Sequence, residues 1–64
     1  MQFSPERMSV RRRRLGKTQV RLSKETGLSQ VSISALEKGK KEPRANTLAK
    51  LARALECPTD YFFV

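Results

Sequence analysis

The stretch Thr18-Gln19-Val20-Arg21-Leu22-Ser23-Lys24-Glu25-Thr26-Gly27-Leu28-Ser29-Gln30-Val31-Ser32-Ile33-Ser34-Ala35-Leu36-Glu37-Lys38-Gly39 holds two helical patterns separated by one glycine. Thr18 has an N-cap side chain, and Gly27 can take the left-handed conformation that closes a helix. A helix is therefore expected over about residues 18–26, with Leu22, Ser23 and Thr26 inward. Leu28 is an apolar residue in the turn. Ser29 then caps a second helix, expected over about 29–38 and ended by Gly39, with Ile33 and Leu36 as its core-facing pair.

Upstream, Ser4-Pro5 followed by Glu6 is a helix start: a cap, a proline at the first turn and an acid near the positive helix end. This predicts a helix over about 5–14, stopped by Gly16. Met8, Arg12 and Leu15 fall on one face of it, so an arginine sits in the stripe that should meet the core. Val10 falls on the far side and has no evident role. Downstream, Lys40-Lys41-Glu42-Pro43-Arg44 is a polar connection whose proline bars helix at the residue before it. Leu48, Leu51, Ala52 and Leu55 then give the strongest helical periodicity in the chain, over about 46–55. Pro58, Thr59 and Asp60 open a last short helix over about 59–63 carrying Tyr61, Phe62 and Phe63. Five short helices, short connections and no strand-like alternation predict an all-α single domain spanning residues 1–64.

The chain has 64 residues and a net charge of +8, from 14 Lys and Arg against 6 Asp and Glu. That charge implies a polyanionic partner. Residues 1–27 carry 8 positive and 2 negative charges, residues 28–46 carry 4 and 2, and residues 47–64 carry 2 and 2. The basic potential thus belongs to the first two thirds, with a neutral last third. The longest apolar run is a few residues at the C-terminus, so neither a transmembrane span nor a signal peptide is expected and the protein is placed in the cytoplasm. One cysteine, Cys57, has no internal disulfide partner, and without histidine a zinc finger is excluded. No metal or cofactor is expected. An enzyme is disfavoured too, because no nucleophile-base or paired-carboxylate constellation is present and the volume is too small for a cleft.

The stretch quoted above closely resembles the helix-turn-helix of the phage repressor and Cro class, the XRE family. The resemblance continues through Pro43 to Phe63, with its Thr47-Leu48-x-x-Leu51-x-x-Ala54-Leu55 helix and terminal Asp60-Tyr61-Phe62-Phe63, so it covers about residues 5 to 63. It implies a compact five-helix repressor-like fold and sequence-specific binding of double-stranded DNA as a dimer on an inverted repeat. This sequence departs from the pattern at Ser23, where alanine is usual, and at Glu56, where a glycine or asparagine would take the left-handed conformation more easily. It also departs at Val31 and Ala35, which replace polar residues at base-reading positions.

At 100° per residue, Gln30, Val31, Ser34, Ala35 and Lys38 lie away from the direction set by Ile33 and Leu36. Gln30 can contact adenine in a bidentate manner, Val31 and Ala35 can meet thymine methyls, and Ser34 specifies weakly. Gln19 resembles a family glutamine that contacts a phosphate. Lys38, Lys40, Lys41 and Arg44 flank the groove-facing helix and are expected on phosphates, with Arg44 also a candidate for the minor groove. The family pattern pairs Arg12 with Glu37 in a buried bridge, leaving Arg11, Arg13 and Arg14 for long-range attraction. The family pattern carries an aliphatic side chain at the position of Cys57, which implies a buried structural thiol. Tyr61, Phe62, Phe63 and Val64 exceed what a short helix needs to cover a small core, so a weak homodimer interface, strengthened on DNA, is expected there. Two other readings compete: an antitoxin-like interaction protein, and the DNA-binding part of a longer repressor.

Overall fold

The computed structural model describes all 64 residues and runs α1 (Pro5–Arg14), α2 (Gln19–Thr26), α3 (Gln30–Glu37), α4 (Ala45–Ala54) and a 3₁₀ turn at Thr59–Phe62. Three of the four α-helices start at a capping hydroxyl. Ser4, Thr18 and Ser29 accept from the backbone N–H groups of Arg7, Arg21 and Ser32. Arg44 precedes α4 without a side-chain cap bond. Gly27 closes α2 at φ 78, and its N–H donates to the Ser23 carbonyl.

The expected fifth helix is corrected to a single 3₁₀ turn. Phe62 turns fully into the core, while Phe63 is extended (φ −110, ψ 142) and pairs antiparallel with Phe3. The Gln2 N–H donates to the Val64 carbonyl at 2.9 Å, and the Val64 N–H donates back to Gln2 at 3.0 Å. The two ends of the chain are therefore tied together, a contact the sequence reading did not anticipate.

The core gathers Met8 from α1, Leu22 from α2, Ile33 and Leu36 from α3, Leu51, Ala52 and Leu55 from the α4 region, and Phe62. Burial of Phe62 stabilises the monomer by roughly 1.5–3 kcal/mol. Val10 is half-buried and lies outside this cluster. Glu56 adopts the left-handed conformation (φ 56) just past α4, as its position implied.

Helix α4 ends in carbonyls that its own hydrogen-bond ladder leaves open, and two cations from the N-terminal half satisfy them. Arg11 donates to the carbonyls of Leu55 at 2.9 Å and Glu56 at 3.1 Å. Lys17, only 9% exposed, donates to Ala54 at 2.6 Å and to Glu25 at 2.8 Å. Arg11 is thus a helix-end cap in addition to any long-range role. Arg13 and Arg14 are exposed.

Candidate nucleic-acid interface

A clamp of side-chain hydroxyls in the turn holds α3 against α2. The Ser23 hydroxyl donates to the Leu28 carbonyl, and the Thr26 hydroxyl accepts from the Leu28 N–H at 3.2 Å while donating to Leu22 at 2.8 Å. Ser23, where alanine is usual in the family pattern, therefore adds a bond to the turn. Together with the buried Leu22, Ile33 and Leu36, this fixes which side of α3 faces outward.

That outward side opens as a shallow groove lined by Gln19, Gln30, Val31, Ser34, Ala35, Lys38 and Lys40. All four candidate base readers line it, with three of the five candidate phosphate contacts. No carboxylate lines it. Val31 is 80% exposed, an apolar side chain that contributes nothing to the core. Lys41 and Arg44 lie elsewhere, in a second depression with Ser32, Glu42, Pro43 and Thr47, where Lys41 donates to the Ser32 hydroxyl at 3.3 Å. The basic connection after α3 thus splits into two sites.

Arg12 and Glu37 form the expected bridge. Arg12 Nε and Nη2 donate to the two Glu37 oxygens at 2.7 and 3.0 Å, with the side chains 12% and 7% exposed. Arg12 Nη1 donates to the Lys17 carbonyl at 2.8 Å. Gln19 is a third partner: its Nε2 donates to Glu37 Oε1 at 3.0 Å. Periodicity gave no sign of that contact, which joins the starts and ends of different helices.

Lys17 was also missed. It sits between Gly16 and the Thr18 cap, outside any helical stripe, so its spacing carries no signal. Hydrogen bonds from its ammonium and from the Arg21 guanidinium hold the Glu25 carboxyl below the usual carboxylate range. Cys57 is half-buried against the core, and burial pushes its thiol up, with Arg11 opposing.

Among the candidate interface residues at the C-terminus, Phe62 is corrected: it is fully buried in the monomer core and faces no partner. Tyr61 and Phe63 are half-buried and Val64 is 62% exposed. Phe3 stacks edge-on to Phe63 with centroids 6.1 Å apart, and Arg7 lies over the Tyr61 ring at 5.4 Å. No helix is long and apolar enough to cross a membrane, and no three His, Cys, Asp or Glu side chains cluster as metal ligands would.

The helix-turn-helix family model matches residues 9–62. The chain is 40% identical over 60 residues to repressor protein C2 of Salmonella phage P22, covering 94% of this chain and 28% of that protein. It is 41% identical over 59 residues to the transcriptional regulator DicA of Escherichia coli, covering 91% of this chain and 44% of that one. The chain thus spans less than half the length of either relative. The fold matches the crystal structure of the P22 c2 repressor in complex with a synthetic operator, with a TM-score of 0.89 at 39% identity, covering 97% of this chain and 94% of that one. It matches the solution structure of that repressor's DNA-binding domain equally well, with a TM-score of 0.89 at 39% identity over 95% of this chain and 80% of the other. With the capped α2-turn-α3 unit, the groove on α3 and these similarities together, the chain belongs to the XRE-type helix-turn-helix family.

Proposed function

We propose that this chain is a sequence-specific, double-stranded-DNA-binding transcriptional regulator that acts in the cytoplasm and represses by occupying an inverted-repeat operator as a dimer. The observation that carries the reading is the groove on α3, where Gln30, Val31, Ser34 and Ala35 share one carboxylate-free surface with Gln19, Lys38 and Lys40. Gln30 at the start of α3 reads adenine through its amide, Val31 and Ala35 meet thymine methyls, and Ser34 adds a weakly selective hydroxyl. Gln19, Lys38 and Lys40 take phosphates beside the read bases. Lys41 and Arg44 take the backbone further along, with Arg44 reaching towards the minor groove. Tyr61, Phe63 and Val64 meet their counterparts across a two-fold axis, which sets two α3 helices about one DNA turn, roughly 34 Å, apart. The similarity to a repressor solved with operator DNA supports this. Because the chain spans 28% and 44% of its relatives, further segments of a longer regulator are compatible with the same role.

Selection of bound sequences from a random duplex library, followed by footprinting of the winner, tests the proposal. Enrichment of an inverted repeat, with protected half-sites centred about ten base pairs apart, is the expected result. Absence of enrichment overturns sequence reading. Saturation of one half-site by one chain overturns the dimer.

A further inference from the structure

The link between Gln19 and Glu37 places a buried carboxylate directly behind a side chain of the groove. Glu37 Oε2 accepts from Arg12 Nε at 2.7 Å, and Oε1 accepts from both Arg12 Nη2 and Gln19 Nε2 at 3.0 Å. A carboxylate only accepts hydrogen bonds, so of the two orientations open to a glutamine amide only the one with nitrogen towards Glu37 makes this bond. The amide carbonyl oxygen, on the same carbon, is then turned away from Glu37. Arg12 cannot swing aside, because its Nη1 also holds the Lys17 carbonyl at 2.8 Å. The Glu37 side chain is 7% exposed, so little water competes for it.

We infer that Glu37 is a positioning residue for recognition: by holding the Gln19 amide in one orientation, it makes Gln19 present a carbonyl acceptor and a single N–H to the groove it shares with Gln30. The inference rests on the proposed DNA-reading role of that groove. An acceptor there complements the exocyclic amine of adenine or cytosine, or the Gln30 amide N–H, while the remaining N–H of Gln19 is left for a phosphate oxygen. Without the lock, the amide rotates freely and offers either end. The bridge that ties α1 to α3 would then also set which hydrogen-bonding face of α2 meets DNA.

The charge-neutral pair Arg12→Met with Glu37→Met makes the decisive change. It removes the acceptor that faces Gln19, whereas a glutamine at position 37 keeps that bond whenever its carbonyl oxygen takes the place of Oε1, which accepts from both Arg12 Nη2 and Gln19. The first measurement is the side-chain amide NMR spectrum of the free protein. One Gln19 amide proton slowed in exchange and shifted from free-glutamine positions in the parent, and losing both in the double variant, is expected. Free-glutamine behaviour in the parent overturns the lock without reference to DNA.

The second measurement compares affinity for the selected duplex and a scrambled one, at a temperature where circular dichroism shows every variant folded. Loss of one neutral hydrogen bond at the site corresponds to a fall of about five- to tenfold in the ratio of the two affinities. That fall should vanish in a Gln19→Ala background. If the double variant does not fold, Arg12→Leu with Glu37→Leu takes its place, with the same expected fall. An unchanged ratio with a parent that discriminates overturns the inference alone. A parent that does not discriminate between duplexes overturns the DNA-reading role and the inference with it, while the amide spectrum still shows whether the lock exists.

Discussion

At the scale of single residues, the chain places its cations by what they neutralise. Arg12 and Glu37 are both nearly buried, so removing one leaves the other as an unpaired charge in a dry site. Glu37→Ala or Arg12→Ala should lower unfolding free energy by on the order of 3–5 kcal/mol at most. Urea denaturation of Glu37→Ala with the parent's midpoint would remove the bridge from the stability of the fold. Glu25 gives the pH dependence. Its ion pairs with Lys17 and Arg21 lower its folded-state pKa, so its contribution is present above the ordinary carboxylate range and is lost as pH falls through the lowered value. Glu25→Gln should therefore have a shallower acid limb in a plot of stability against pH, and superimposable limbs would contradict the pairing. Arg12 was legible in the sequence because a charge at a core spacing requires a partner, and the family resemblance named Glu37. The partnership of Gln19 was not, because hydrogen bonds between side chains on separate helices leave no periodic trace. Lys17 was hidden because it lies between helices, outside any stripe, with its backbone-carbonyl partner Ala54 37 positions along the chain.

At the scale of elements, α1 to α4 were readable almost to their ends. Their caps and apolar spacings are local, and Ser29 and Lys38 differ from the expected bounds only because they flank α3 as its caps. The α2-α3 turn depends on Gly27 at φ 78. A Cβ there would meet nothing within 4 Å, so Gly27→Ala tests backbone conformation without a clash. It should destabilise the domain by about 1–2 kcal/mol, read as a lower midpoint in thermal unfolding. An unchanged midpoint would show that the turn tolerates an L-residue. The terminal element was the one misread. Phe62 was taken for surface because Phe3, alone in a polar N-terminus, has no periodicity to announce it as a partner of Phe62 and Phe63.

At the scale of the molecule, charge and fold divide the labour. Basic residues concentrate before position 47, and the groove on α3 lies in that part of the chain. Binding should weaken with salt at a slope near −0.9 per phosphate contacted, and Lys40→Ala should flatten that slope while weakening all duplexes alike. Salt-independent affinity would exclude DNA as the partner. The pairing of Gln2 with Val64 has a kinetic consequence. It closes a loop around nearly the entire chain, longer than the loops closed where α1 meets α3 or the 3₁₀ turn, and so has the largest closure entropy of any contact in the fold. It should therefore form after the rate-limiting barrier. In a stopped-flow chevron, Phe3→Ala should leave the refolding limb almost unmoved and raise the unfolding limb, giving a φ-value near zero. A φ-value near one would mean that the ends meet early and the helices assemble inside a closed ring.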